Sequence, residues 1–314
     1  MAIEYKINAT KKVKKLFGTS QTLIDLSFND FFKESDFDFF ISKYSAVSVQ
    51  DIASGKAAKT RLSQLDGLLV GIRGLSFAGV HIYLENSWYH LRMMQPANTG
   101  DWATMLFLLY MLKELTQNPI LDENGVVQDF QVIESAVDDQ IEYGHQQVLG
   151  VDLGEDQTMS LKGILMTVFI DHALLKRHST PISLSDYLIK LQWGLDAYVA
   201  HPTVFIIGSV KQIVSYTLTA DLATLLPVTL FIPPRLAQEE LTHDDTDFLL
   251  NFFNPETRKS LGTFKYSEAI HAILEFASEE QDANHRIFYV PLSHLKTVAE
   301  SLTPIDVKSL VKNL

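Results

Sequence analysis

Ten histidines and no cysteine set the chemistry open to this 314-residue chain. Without cysteine there is no thiolate nucleophile, no disulfide and no Cys-based zinc or iron–sulfur site. His172 and His178 stand six apart on a stretch that reads as helix, so they point in different directions and do not share a metal as an i, i+4 pair would. His243 with Asp244, Asp245 and Asp247 offers hard oxygen ligands, but the spacing of a calcium loop is missing and the stretch reads as a solvated acidic loop. Ser54-Gly55-Lys56-Ala57 lacks the earlier glycine and the Ser/Thr after lysine of a phosphate-binding loop. Gly74-Leu75-Ser76-Phe77-Ala78-Gly79 comes near a nucleophile elbow, with alanine at the final glycine position and a strand rather than a helix following, and reads as a glycine-bounded turn. No G-x-G-x-x-G follows a strand. The sequence therefore points to no metal, no cofactor and no identifiable catalytic residue.

One constellation remains. Val80, Ile82 and Leu84 alternate with His81, Tyr83 and Glu85; after Asn86-Ser87, Tyr89, Leu91 and Met93 alternate with Trp88, His90 and Arg92. A two-residue loop at Asn86-Ser87 sets Glu85 opposite Trp88, Tyr83 opposite His90 and His81 opposite Arg92. One face of this hairpin is then apolar. The other carries His81, Tyr83, Glu85, Trp88, His90 and Arg92, and a slip by one residue would mix the two sets. Arginine, tyrosine and tryptophan supply most binding anchors, so the polar face is the candidate binding surface for an acidic or aromatic partner. The alternatives are an ordinary solvent-facing sheet and a face covered by the second half of the chain. Acid–base catalysis is disfavoured, because no carboxylate lies directly opposite a histidine in this register.

The elements that must position this face come next. After Pro96, Asn98 or Thr99 can cap a helix, with Asp101 near its positive end. From residue 102 to 112 only Thr104 is polar, so the helix should be covered on more than one side, although it is too short to cross a bilayer. Ser27 with Asp30 resembles a capping box for a short Phe-rich helix. Strands are expected at residues 3–7, 44–49, 68–73, 126–133, 204–207, 213–218, 248–253, 263–266 and 287–290, with an extended run from 225 to 234. Helices are expected over residues 161–176, 183–199 and 267–276, with an amphipathic segment from residue 293. The acidic, glycine-containing stretch 138–158 suggests a boundary, giving subdomains 1–150 and 151–314. These elements predict an α+β fold: largely antiparallel sheets packed on apolar helices, in two similar-sized parts.

Composition bounds the partners. A net charge of −12 opposes general binding to nucleic acid or anionic membrane. The lysines at positions 6, 11, 12, 14 and 15 are a local exception that reads as a solvated edge or turn, with an anion-binding arm as the alternative. No apolar stretch follows them as in a secretory signal, which points to a cytoplasmic protein.

Tyr89-x-Leu91-Arg92, Gln95-Pro96 and Asp101-Trp102 opening an apolar helix are similar to the central pattern of an uncharacterised family of bacterial proteins, mainly from Firmicutes, carried as a domain of unknown function. Asp196-Ala197-Tyr198-x-Ala200-x-Pro202, Tyr216-Thr217-Leu218-Thr219, Leu225-Leu226-Pro227 and Leu261-Gly262-x-x-Lys265-Tyr266 agree with it. The resemblance implies a bacterial cytoplasmic protein and transfers no activity. Two functions are carried forward: a noncatalytic interaction or regulatory protein with a protein partner, and a small-molecule-binding protein or hydrolase with a pocket between the halves.

Overall fold

The computed structural model describes residues 2–15, 18–33, 35–42, 55–207, 211–230 and 246–307. The fold is α+β. It divides into two compact units, Met1–Gly194 and Leu195–Leu314.

In the first unit the strands are β1 (Ala2–Asn8), β2 (Thr10–Lys15), β3 (Gly18–Leu23), β4 (Phe39–Ser42), β5 (Leu68–Ile72), β6 (Val80–Glu85), β7 (Trp88–Met94), β8 (Ile120–Asp122), β9 (Val127–Gln128), β10 (Thr158–Lys162) and β11 (Thr167–Asp171). Seven of them form one antiparallel sheet in the order β4-β5-β6-β7-β1-β8-β9. β2 pairs with β3 and β10 with β11 as separate ribbons. The central hairpin has the expected register, with His81 opposite Arg92, Tyr83 opposite His90 and Glu85 opposite Trp88. Asn86 and Ser87 both take positive φ, 49° and 65°, the backbone that a tight two-residue hairpin turn requires.

The helix Thr99–Thr116 crosses the apolar face of this sheet. Val80, Ile82, Tyr89, Leu91 and Met93 are buried against it together with Ile7 of β1. A second side is closed by the Phe28–Phe32 helix and β4, where Phe107 lies 5.5 Å from Phe32 and 5.3 Å from Phe39 between ring centroids. Beyond Thr99 at its start, only a narrow strip holding Tyr110 and the closing Lys113 and Glu114 is exposed, in agreement with an apolar circumference. Ser27 and Asp30 form the expected capping box on the short Phe-rich helix. Tyr89 reaches from the sheet into the segment before it: its hydroxyl donates to Ile24 O (2.8 Å) and accepts from Leu26 N (3.0 Å).

Three expectations fail in this unit. Residues 161–176 do not form a long helix; they complete the β10–β11 hairpin and only then enter the helix His172–Arg177. Thr167, Val168 and Ile170 are β-branched, Val168 and Ile170 are buried on one face, and Gln192 fixes the turn by accepting from Leu165 N (2.8 Å) and Met166 N (3.1 Å). Residues 126–133 form only the two-residue β9, because Asp129 caps the helix Phe130–Ser135 by accepting from Gln131 N. The acidic stretch after residue 138 is largely the helix Val137–Leu149.

Residues 158–194 belong to the first unit. Ile164 N donates to Phe77 O (2.6 Å), Ser42 Oγ to Ile164 O (2.5 Å) and Trp193 Nε1 to Ser76 O (2.6 Å), tying residues 158–194 to the large sheet. The next helix runs Pro181–Trp193 rather than from 183 to 199. Thr180 is its cap, Pro181 stands at its first position, and Gly194 ends it.

The second unit holds β12 (Tyr198–Val199), β13 (Thr203–Ile207), β14 (Lys211–Thr219), β15 (Thr224–Pro227), β16 (Thr246–Asn254), β17 (Lys259–Lys265), β18 (Ala277–Glu280) and β19 (His285–Phe288). They form the sheets β12-β15-β19-β18 and β13-β14-β16-β17, in which β12–β15 and β14–β16 are parallel and the remaining pairs antiparallel. The helices Tyr266–Ala272 and Leu292–Ser301 contribute Ala269, Ile270 and Leu295 to its core, with Tyr216, Leu250, Phe252 and Phe264 from the strands. The expected strand at 44–49 and the end of the extended run, residues 231–234, lie outside the described residues, while β15 forms the start of that run. Among the described residues no helix is long and apolar enough to cross a membrane.

Candidate functional site

All six residues singled out on the hairpin share one face of β6 and β7. Tyr83 stacks on His90 with centroids 4.7 Å apart and planes 5° apart, and His81 stacks on Tyr83 at 4.9 Å. The three rings form a row along the middle of the sheet. Arg92 and Glu85 are exposed, whereas His81, Tyr83, Trp88 and His90 are half-buried. β1 extends the face, with Glu4 opposite Arg92 and Lys6 opposite His90. Glu4 Oε1 lies 3.2 Å from His90 Nδ1. The hairpin register alone gives no histidine a carboxylate. The neighbouring strand does, from 86 residues away in sequence.

The same face changes character toward the β4 edge. Leu69 lies opposite His81, and Ser42 opposite Leu69. There the β10–β11 turn covers the sheet through Ile164, and Phe40 packs edge-on to Trp193 at 5.3 Å with the Arg73 guanidinium 5.1 Å from the Phe40 ring. The polar face is thus half-buried over β6, β7 and β1, with Glu85 and Arg92 exposed, and covered at β4 and β5.

A second constellation stands at the open end of the hairpin. The Asp101 carboxylate is fully buried and accepts four backbone N–H groups: Phe77 (3.1 Å), Ala78 (3.0 Å) and Asn98 (2.9 Å) on Oδ2, and Gly79 (2.7 Å) on Oδ1. Asn98 is the N-cap of the core helix. The helix comes this close to the loop because residue 100 is glycine; a Cβ there would sit 2.5 Å from the Leu75 carbonyl carbon. Burial pushes the Asp101 carboxyl above its ordinary range, against the pull of the Asn98, Ala78, Gly79 and Phe77 N–H groups.

Around Asp101 lie further buried polar groups. Gly144 of the helix Val137–Leu149 packs on the Gln95 side chain and on Pro96, whose peptide bond with Gln95 is cis. Next to Gly144, His145 is fully buried, with Nδ1 2.8 Å from Ile141 O. Burial lowers its pKa, with the Ile141 hydrogen bond and the Asp101 charge acting the other way. Gln95 Nε2, Asn98 Nδ2, Trp102 Nε1 and His145 Nε2 are buried with no hydrogen-bond partner among the described residues, while the Asn98 side chain takes the Asp101 N–H in a capping box. Sequence reading found Asp101 as a helix-end charge only. The one signal for more was an Asp three residues after an Asn cap.

The other histidines behave differently. His178 ends its helix, sits 3.0 Å from Ser183 Oγ through Nδ1 and stacks on Tyr187 at 4.3 Å, so it and His172 are not brought together on a metal. His243, Asp244 and Asp245 lie outside the described residues, while Asp247 pairs with Lys211 at 2.7 Å. Ser76, the serine of the elbow-like turn, is buried with its Oγ accepting from Ile72 N. In the second unit Asp282 and His285 form a buried pair at 3.0 Å, with Asp282 Oδ1 also accepting from Asn284 N and His285 N. Among the described residues no group of three or more His, Asp or Glu side chains is placed to hold a metal ion.

A family model described as a domain of unknown function (DUF4299) matches residues 2–297, and the chain belongs to that family. Neither the curated proteins nor the solved structures give a match to the chain.

Proposed function

We propose that this is a bacterial cytoplasmic protein that acts by binding a protein partner, without catalysis of its own, through the polar face of β6, β7 and β1. The observation that carries the reading is the row of stacked rings His81, Tyr83 and His90 on two interior strands of the sheet, flanked by the exposed Arg92. Rings already held in place lose little freedom on binding, and an exposed arginine at their end offers a planar, two-pronged donor to a carboxylate. Trp88 adds an aromatic edge at the turn end of the same face. An acidic segment with an aromatic residue fits this chemistry.

The test compares the full chain with its Arg92→Ala and Trp88→Ala variants as bait in a lysate of the host cell. The expected result is a defined partner held by the parent and lost or weakened about tenfold by either variant, since truncating a central anchor costs at least about 1–2 kcal/mol. Undiminished capture by both variants removes this face as the binding surface.

A further inference from the structure

We infer that the basic ribbon β2–β3 docks on the acidic helices Phe130–Ser135 and Val137–Leu149 of a second copy of the chain, so that the protein self-associates. The inference stands apart from the hairpin-face reading. Residues 5–24 hold five lysines and neither Asp nor Glu, whereas residues 114–161 hold eleven Asp or Glu and neither Lys nor Arg. Both stretches lie in the first unit. Among the described residues, Lys11 and Lys12 of the ribbon and Glu134, Asp138, Asp139 and Glu142 of the helices form no ion pair. Neither charge is answered within one copy.

The ribbon calls for a partner on its own account. β2 and β3 pair only with each other, and a two-stranded ribbon alone is marginal in water. Its register sets Lys11 opposite Thr22, Lys12 opposite Gln21 and Lys14 opposite Thr19, so none of these lysines has a carboxylate across the strands. Lysines that only guard a sheet edge need no apolar neighbour left in water, yet Val13 and Leu23 are exposed on this ribbon. The helices carry the same mixture with the sign reversed. Glu142 stands one turn beyond Asp138 and repels it, while Val132 and Tyr143 are exposed. Nucleic acid or an anionic membrane would answer the lysines alone, and would meet a chain of net charge −12. A second copy answers both stretches at once. Each copy offers both halves of the contact, which a two-fold dimer uses twice and an open chain once per junction.

The experiment measures the mass of the full chain in solution by light scattering. Two chains of the same net charge repel at long range, but at about 0.15 M salt that repulsion is screened beyond roughly 8 Å, whereas at about 1 M the contact charges themselves are screened. The expected result is a mass of at least two copies at about 0.15 M NaCl that falls to one copy at about 1 M. Lys11→Glu with Lys12→Glu, or Asp138→Lys with Glu142→Lys, should each weaken the association at least about a hundredfold by setting like charges together. The chain carrying all four changes should regain it, as should a mixture of the two paired variants. A parent chain that is monomeric at about 0.15 M NaCl overturns the inference, even if its ribbon takes up a DNA duplex or anionic vesicles. So does an oligomer indifferent to salt, or paired variants that keep the parent's circular dichroism and associate as the parent does. The salt response is read on the unaltered chain, so a variant that fails to fold leaves the test intact.

Discussion

Replacing Asp101 tests how the central hairpin is held closed. Its carboxylate accepts four buried N–H groups, and each donor left without an acceptor costs about 1–3 kcal/mol. Asp101→Ala strands all four, a gross loss of about 4–12 kcal/mol against a total stability of about 5–15, and should leave little folded protein. Asp101→Asn is the more informative change. Its one oxygen can serve the Phe77, Ala78 and Asn98 N–H groups, while its amide nitrogen meets the Gly79 N–H donor to donor. That exchange leaves about two donors unpaired and costs about 2–6 kcal/mol. Working the other way, the neutral amide escapes the desolvation that raises the Asp101 pKa. Four N–H groups at 2.7 to 3.1 Å at a helix start should outweigh that relief. Urea unfolding should therefore show Asp101→Asn losing about 2 kcal/mol or more, a midpoint lower by roughly 1–2 M. An unchanged or higher midpoint would show that desolvation dominates and refute the assignment of Asp101 as the clasp.

Gly100→Ala should destabilise by thermal melting despite alanine's advantage of about 1 kcal/mol in a helix, because its Cβ would meet Leu75 backbone at 2.5 Å, which cannot swing aside, and overpacking costs about 1–3 kcal/mol. A raised Tm would contradict the close approach. Tyr89→Phe removes the acceptor of Leu26 N and the donor to Ile24 O, and should cost about 1–3 kcal/mol in denaturant titration; a loss below about 0.5 kcal/mol would mean that these groups find water instead. His145 has its pKa lowered by burial, so its contribution is present above the unfolded histidine value of about 6.5 and is lost as pH falls through that value toward the folded one. His178, also lowered, acts with the same sign, whereas the raised Asp101 favours the folded state most below the unfolded carboxylate value. The fall in stability from neutral pH toward pH 5 should accordingly be shallower in His145→Gln than in the parent, and an unaltered slope would exclude His145 as a source of it.

Much of this fold is legible because local signals and long-range packing agree. At residues 80–94 the alternation, the two-residue turn and the buried face all specify one register. Ser27 with Asp30 writes its capping box within four residues. Legibility ends where a distant group decides. Residues 161–171 hold enough Leu, Ile and Met to suit a helix, and they pair as strands around a turn pinned by Gln192. Asp129 switches a strand-like run into a helix by capping it. The candidate sites follow the same division. The six residues of the polar face are consecutive in pattern and were readable, whereas Glu4 reaches His90 across a strand order that no spacing announces. Asp101 was visible as a charge at a helix start. Its role as acceptor for the 77–79 loop depends on how closely two backbones approach at Gly100.

The two constellations meet in one mechanical argument. The hairpin β6–β7 has a turn at one end and two departing chains at the other. At the turn end Asn86 and Ser87 hold the strands through their own backbone conformation. At the open end the chain enters from Gly79 and leaves toward Asn98, and one carboxylate binds the N–H of both. Asp101 thus clasps the open end, where His81 faces Arg92, while Glu85 and Trp88 rest on the turn. A binding face built from stacked rings depends on strand register, because a shift of one residue turns every ring to the apolar side. The buried acid and the polar face are therefore one construction, in which the order of that face is set by hydrogen bonds that never reach it.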